Sequence, residues 1–214
     1  MNKDISLEAK EKGEVILNIG GGRIDPLVLP LLKSYFLVNL DIMYEAKARL
    51  RFEVEESHLI FVRSRPGVGT YEEKWFCNED WKTFLSKYKL QFDRIVIYRF
   101  LEHVRMTEVP YFLYLVSTVL KKGGCIEVIV PNYEELARRI LEEEPESPGF
   151  EGVNILNTTE LLNEPEDPHA SIWTPKRASY FFELEKRFRV TSLFEKFDFD
   201  GRDIYMWFMA KKVV

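Results

Sequence analysis

Residues Val15 to Gly22 read VILNIGGG, an apolar run of strand length that stops at three consecutive glycines. Glycines after a buried strand allow a tight turn in which no Cβ keeps a ligand away from the backbone. A second apolar run, Phe36 to Leu40, ends at Asp41. An acid about 20 residues after such a turn accepts hydrogen bonds from ribose hydroxyls in nucleotide-binding α/β folds. These residues therefore predict a nucleotide-type site. The alternative is a plain strand-helix turn in which Asp41 caps the next helix.

Further apolar runs continue the α/β pattern along the chain. Arg94 to Tyr98 and Cys125 to Val130 predict two more strands, and Glu108 to Leu120 carries apolar residues at helical spacing between them. Two strands joined by a helix form a β-α-β unit, which favours a parallel sheet. A short helix is expected over Pro26 to Tyr35.

The remaining segments predict a hairpin, a loop and a closing strand pair. Residues 58–76 flank a Pro-Gly turn and predict an inserted hairpin, whereas 142–170 is acidic and rich in proline and predicts a surface loop or lid. A helix is expected over Pro175 to Lys186, followed by strands over Phe188 to Phe197 and Ile204 to Lys211. We expect one domain over residues 1–214, because nothing in this pattern resembles a linker.

Composition disfavours several classes of protein. The formal net charge of −5 argues against nucleic-acid binding through bulk positive charge. No apolar run reaches the roughly 18 residues of a membrane span, and the first residues lack the apolar core of a secretion signal. Only two cysteines occur, Cys77 and Cys125, which favours a reducing compartment. We therefore expect a cytoplasmic protein with no membrane partner, for which nucleic acid is an unlikely partner.

Four segments together resemble the class I S-adenosylmethionine-dependent methyltransferases, in particular small members of the type-11 kind. They are LNIGGG (17–22), VNLDI (38–42), FDRIVIYRFLEHV (92–104) and LKKGGCIEVIVPN (120–132), and they follow one another in the family's order. The segment DPHASIWTP (167–175) is similar to an element that precedes the last helix in some small members. The resemblance implies a Rossmann-like α/β fold with a seven-stranded, mostly parallel sheet, an antiparallel terminal strand and helices on both faces.

The same resemblance implies S-adenosylmethionine as the cofactor and a set of residues that bind it. Asp41 would hold the ribose hydroxyls, and Asp80, with Glu79 as a competitor, the adenine amino group. Tyr98 would form a wall beside the sulfonium, or would be an ordinary strand-end aromatic. The full cofactor-binding set is Asn18, Gly20, Gly21, Gly22, Asp41, Ile42, Asp80, Trp81 and Tyr98.

Methyl transfer from a sulfonium needs alignment rather than an obligatory nucleophile, so no catalytic residue stands out. His103 and His169 are the candidates for a general base, although a structural histidine after the fourth strand and a surface histidine are the more ordinary interpretations. Glu102 could contact the cofactor or cap its turn. No metal site is expected, because His58, His103 and His169 are dispersed along the sequence.

The function predicted is S-adenosylmethionine-dependent methylation of a small-molecule acceptor. A non-catalytic binding or scaffold protein with the same fold is the main alternative. It is favoured by Asn18, which stands where the family usually has an acid, and by Ile24, which stands at the place of the third glycine. An oxidoreductase is the other alternative, and it is disfavoured because Asp25 interrupts the glycine pattern of a dinucleotide site.

Overall fold

The computed structural model describes residues 14–20, 35–40, 58–65, 69–76, 81–87, 91–142, 169–199 and 202–214. Within these ranges one sheet contains the strands β1 (Glu14–Ile19), β2 (Tyr35–Leu40), β3 (His58–Arg65), β4 (Gly69–Phe76), β5 (Phe92–Tyr98), β6 (Leu120–Pro131), β7 (Phe188–Phe199) and β8 (Arg202–Lys212). The described helices are α1 (Trp81–Lys87), α2 (Val109–Val119), α3 (Tyr133–Glu142) and α4 (Pro175–Leu184), and a 3-10 turn spans Leu101–His103.

The sheet is mixed, and its strand order is β3-β4-β2-β1-β5-β6-β8-β7. The strands β4, β2, β1, β5 and β6 run parallel to their neighbours in this set, whereas β8 is antiparallel to both β6 and β7. This is a Rossmann-like α/β arrangement with an antiparallel strand near one end, as expected from the sequence.

The expected count of seven strands is wrong, because the described residues contribute eight strands to the sheet. The additional strand is β3, which pairs antiparallel with β4 at the sheet edge. Its partner β4 pairs in parallel with β2, with Phe36 opposite Glu72 and Leu40 opposite Phe76. The two strands over 58–76 are therefore part of the central sheet rather than an appendage to it.

Both faces are buried at β1, at β5 and in the second half of β6, which explains why these central strands read as continuous apolar runs. In β1, Val15, Leu17 and Ile19 belong to one hydrophobic cluster, whereas Ile16 belongs to the cluster on the other face. Helices α1, α2 and α4 contribute to the first cluster, and α3 contributes Leu136 to the second. Helices thus cover both faces of the sheet.

Helix α2 forms where its apolar spacing predicts, with Val109, Phe112 and Val116 fully buried. Helix α4 begins after Thr174, whose side-chain oxygen accepts a hydrogen bond from the Arg177 amide at 3.3 Å. This contact satisfies one of the amide donors that a helix leaves unpaired at its start.

Some elements differ from the sequence-based expectation. Helices α1 and α3 were not anticipated. Tyr35 belongs to β2 rather than to the end of a helix, and the rest of that expected helix lies outside the described residues. Most of the proposed loop over 142–170 also lies outside them. Among the residues described, no helix combines the length and the apolar character that a membrane crossing requires.

Candidate functional site

The candidate site lies at the carboxyl ends of β1 and β5, where the order of the sheet reverses. From β1 the chain proceeds outward to β2 on one side, and it later returns to place β5 on the other side. Open α/β sheets bind ligands in the crevice at such a switch point. Gly20 directly follows β1 there with a φ of +74°, and its amide donates to the Leu40 carbonyl at 2.9 Å. Gly20 therefore also contacts the end of β2.

Gly20 is required by packing as well as by its backbone angle. A Cβ added at this position would lie 2.4 Å from the Phe100 Cβ, far closer than atoms of packed side chains approach. A positive φ is also unfavourable for residues that carry a Cβ. Glycine at this position thus lets the end of β1 pack directly against Phe100 in the segment after β5.

The segment after β5 is the 3-10 turn Leu101–His103, which residues 169–173 hold in place. The Glu102 carbonyl accepts hydrogen bonds from the Ala170 and Ser171 amides at 2.8 and 2.9 Å. The Leu101 carbonyl accepts from the Ser171 hydroxyl at 3.1 Å and from Trp173 Nε1 at 3.3 Å. The two sequence segments LEH and HASIW therefore form one hydrogen-bonded unit in the fold.

This unit brings together the two histidines that were considered as general bases. The rings of His103 and His169 are 4.9 Å apart between centroids and meet edge to face. The Tyr133 hydroxyl lies 2.6 Å from His169 Nδ1. Glu102, which is 1% exposed, completes a group whose three ligand-type atoms lie within 4.8 Å of one another. His103 and His169 are thus close together in the fold, although they are far apart in the sequence.

Tyr98 is placed in the core rather than in an open crevice. Its side chain is 2% exposed and packs in the hydrophobic cluster on the α3 face of the sheet. Its hydroxyl donates to Glu127 Oε1 at 2.7 Å, and burial, followed by the negative charge of Glu127, raises the pKa of Tyr98 above its ordinary value. The contacts of Tyr98 favour the strand-end aromatic interpretation over the wall beside a sulfonium.

Trp81 is partly buried against the hydrophobic core, whereas Asn18 is fully buried. Trp81 begins α1, and its ring meets Phe112 edge to face at 5.2 Å between centroids. Asn18 is 1% exposed and lies next to Val96 of β5 in the register of the sheet. Asn18 is thus a buried residue of β1, two positions before Gly20.

The comparison with solved structures agrees with this fold. No family model and no curated protein matches the sequence. A solved S-adenosylmethionine-dependent methyltransferase from Methanosarcina mazei matches with 19% identity and a TM-score of 0.57, over 100% of this chain and 99% of its own. The chain has a methyltransferase fold.

Two further solved methyltransferases support the fold. The plantazolicin methyltransferase BpumL, in complex with SAH (S-adenosylhomocysteine), matches with 14% identity and a TM-score of 0.54, over 93% of this chain and 76% of its own. Magnesium protoporphyrin IX methyltransferase from Synechocystis, with bound SAH, matches with 10% identity and a TM-score of 0.51, over 96% of this chain and 77% of its own.

Several predicted site residues lie outside the part of the chain that the structure describes. They are Gly21, Gly22, Asp41, Ile42 and Asp80, together with the competitor Glu79. Two residues that the sequence argument did not consider lie among the described ones. Tyr133, the first residue of α3, contacts His169, and Glu127 is an acid within the apolar run Cys125 to Val130 of β6. A lone charge in a buried strand is the signal that could have revealed Glu127.

Proposed function

We propose that the protein transfers a methyl group from S-adenosylmethionine to a small-molecule acceptor. The observation that carries this proposal is Gly20, with its positive φ, packed against Phe100 at the switch point of a methyltransferase fold. Solved proteins with that fold, such as the plantazolicin methyltransferase, hold SAH. The cofactor supplies an activated methyl group. The chain has to bind it, orient it and exclude water.

The residues that we assign to the cofactor follow the order of the strands. Asn18 and the glycines 20–22 would line the methionine and ribose portion, where a backbone without Cβ atoms permits close approach. Asp41, directly after β2, would hold the ribose hydroxyls, and Asp80, directly before α1, the adenine amino group. Asn18 offers a hydrogen-bonding amide where a charged carboxylate is usual, so we expect a weaker hold on the cofactor ammonium group.

The acceptor that we propose is a small molecule. The names of several structural neighbours contain such acceptors, among them magnesium protoporphyrin IX and mitomycin. These names differ from one another, and identities of 14% and lower do not carry an individual acceptor over to this chain. We therefore propose the class of acceptor only.

The first experiment is a thermal-shift titration with S-adenosylmethionine, SAH and NADH in parallel. A ligand at about 100 times its dissociation constant stabilises a protein by roughly 2.7 kcal/mol, which is readily measured as a shift in Tm. We expect both sulfur compounds to raise the Tm and NADH to leave it unchanged. Stabilisation by NADH alone would instead support a hydride-transferring enzyme.

Asp41→Ala tests the assignment of individual residues. We expect it to weaken SAH binding by roughly 1–3 kcal/mol in calorimetry, because the ribose hydroxyls lose a charged partner. Asp93→Ala is the matched control. Asp93 lies at the opposite end of β5, where its carboxylate binds the Val15 amide and Lys121. Equal SAH affinity of the wild-type protein and a folded Asp41→Ala variant would remove Asp41 from the site.

A non-catalytic scaffold is the competing function, and Asn18 in place of the usual acid is the observation that favours it. A scaffold has no need of the cofactor, whereas the enzyme cannot act without it. Absence of a Tm shift with both sulfur compounds would therefore favour the scaffold.

A further inference from the structure

The side chains of Glu102, His103 and His169 form a cluster of metal-ligand types. One carboxylate oxygen and one nitrogen from each imidazole lie within 4.8 Å of one another. Atoms that bind one metal ion at about 2.0–2.2 Å lie about 3–4 Å apart, so a small adjustment of side chains closes the set around a cation. The distances between the three donor atoms are therefore close to those in a metal-binding triad.

The backbone holds these three residues together without help from a ligand. Glu102 and His103 are successive residues of the 3-10 turn, and the Ala170 amide next to His169 donates to the Glu102 carbonyl at 2.8 Å. The two segments that carry the three residues are thus hydrogen-bonded to each other. A preformed arrangement lowers the entropic cost of binding, because fewer torsions have to be fixed.

The chemistry of the donors selects the kind of cation. Two imidazoles and a carboxylate suit zinc and the neighbouring divalent transition metals, whereas magnesium and calcium prefer sites made of oxygen alone. Glu102 is 1% exposed, and a bound cation is one of the ways in which proteins stabilise a buried carboxylate. The two histidines are partly exposed, which leaves the site accessible to an ion from solvent.

Tyr133 supports this arrangement from outside the triad. Its hydroxyl lies 2.6 Å from His169 Nδ1. When Nδ1 carries the ring proton and donates it to the Tyr133 oxygen, the lone pair of Nε2 is left to bind a metal. Histidines that bind metals usually make such a hydrogen bond through their other nitrogen, which fixes both the tautomer and the orientation of the ring.

We propose that Glu102, His103 and His169 bind one divalent transition-metal ion, with Tyr133 orienting His169. Three protein ligands leave coordination positions open, as in catalytic metal sites. Glu102 and His103 of the triad lie in the turn after β5, next to Phe100, which packs against Gly20. An oxygen of the methyl acceptor is the ligand that we assign to the open position. That last assignment rests on the proposed methyl transfer, whereas metal binding does not.

The test is calorimetric titration of chelator-treated full-length protein with Zn²⁺, Mn²⁺ and Co²⁺, with the visible absorption of Co²⁺ as a second readout. We expect one ion per chain. His169→Ala and His103→Ala should each weaken binding by more than about 100-fold, and Tyr133→Phe by about 10-fold to 100-fold. His58→Ala is the matched control, since His58 starts β3 at the far edge of the sheet, and it should bind like the wild-type protein.

Each outcome decides between the proposals. Wild-type protein that binds none of the three ions, or a folded His169→Ala variant that binds as tightly as His58→Ala, would overturn the metal site. His169→Gln provides a second variant should the alanine protein be unstable, because it keeps the volume and polarity of the side chain. SAH binding, measured in the same chelator-treated protein, tests the methyltransferase proposal separately, so that either proposal can fail without the other.

Discussion

The two faces of the central sheet are built in different ways. The face covered by α1, α2 and α4 is an apolar cluster that includes Phe84, Phe112 and Phe182, all with no exposed surface. The face covered by α3 has a smaller apolar cluster, and it also buries polar side chains. Glu127 is the clearest case, because one oxygen accepts from Tyr98 at 2.7 Å and from Trp207 Nε1 at 2.8 Å.

The difference teaches how each face contributes to the fold. Apolar burial stabilises in proportion to area and tolerates some rearrangement, whereas buried hydrogen bonds require particular partners. The contacts of Glu127 join three adjacent strands, since Tyr98 belongs to β5, Glu127 to β6 and Trp207 to β8. We infer that the apolar face provides most of the stability and that the polar face fixes the register of these strands.

The largest effect is expected from a truncation on the apolar face. Phe112→Ala should lower the free energy of unfolding by about 3–5 kcal/mol, because it leaves a cavity between Trp81 and Phe100. Denaturant unfolding would measure this change. Tyr111→Ala, at a neighbouring position that is 48% exposed, should cost less than about 1 kcal/mol. Equal costs at the two positions would contradict the described packing of α2.

A somewhat smaller loss is expected when the acceptor on the polar face is removed. Glu127→Ala should cost about 2–4 kcal/mol, because the buried Tyr98 hydroxyl and the Trp207 indole lose their acceptor. Glu127→Gln keeps an acceptor oxygen and should cost only about 1 kcal/mol. Similar costs for both variants in denaturant unfolding would mean that the charge of Glu127, rather than its hydrogen bonds, stabilises this face.

Glu135, a buried acid of α3, provides a test that depends on pH. Hydrogen bonds from Arg138 above all, and from Arg139 and Lys196, lower the pKa of Glu135 from 4.5 to about 2. Because the folded-state pKa is lowered, the stabilisation is complete above about pH 4.5 and is lost as the pH falls towards 2.

Glu135→Gln should therefore cost about 1–2 kcal/mol at neutral pH, and this cost should shrink in acid as the wild-type carboxyl takes up its proton. Tm values measured across this acidic range would show the two proteins converging. Glu142→Gln removes a 58% exposed partner of Arg138 and should change stability by less than about 0.5 kcal/mol. A constant difference at all pH values would contradict the ion pairs of Glu135.

A smaller effect on stability than those of Phe112→Ala, Glu127→Ala and Glu135→Gln is expected for Tyr98→Phe, which removes one donor and leaves the ring in place. It should cost about 1 kcal/mol, and SAH affinity should change by less than about twofold, since the ring packs in the core. Calorimetry and denaturant unfolding measure the two quantities independently. A large loss of SAH affinity with unchanged stability would return Tyr98 to the cofactor site.

Local patterns predicted the elements whose signal lies within a single segment. The apolar runs were sufficient to predict β1, β2, β5 and β6, because burial on both faces leaves a continuous apolar run. The helical spacing was sufficient to predict α2, because burial along one stripe leaves a helical period. Helix α3 was missed because its sequence is rich in charged residues. Buried Leu136 stands beside Glu134, Glu135, Arg138 and Arg139, and of these Glu135 is buried as well.

The sequence by itself determined an α/β chain with a glycine turn after its first described strand and an acid after its second. Only the tertiary structure decided that β4 pairs with β2, that Glu127 accepts hydrogen bonds from two side chains, and that the rings of His103 and His169 are in contact. The physical reason is that the first set depends on neighbours along the chain. The second set depends on which distant strands and turns pack together, and their separation in sequence carries no signal of that distance.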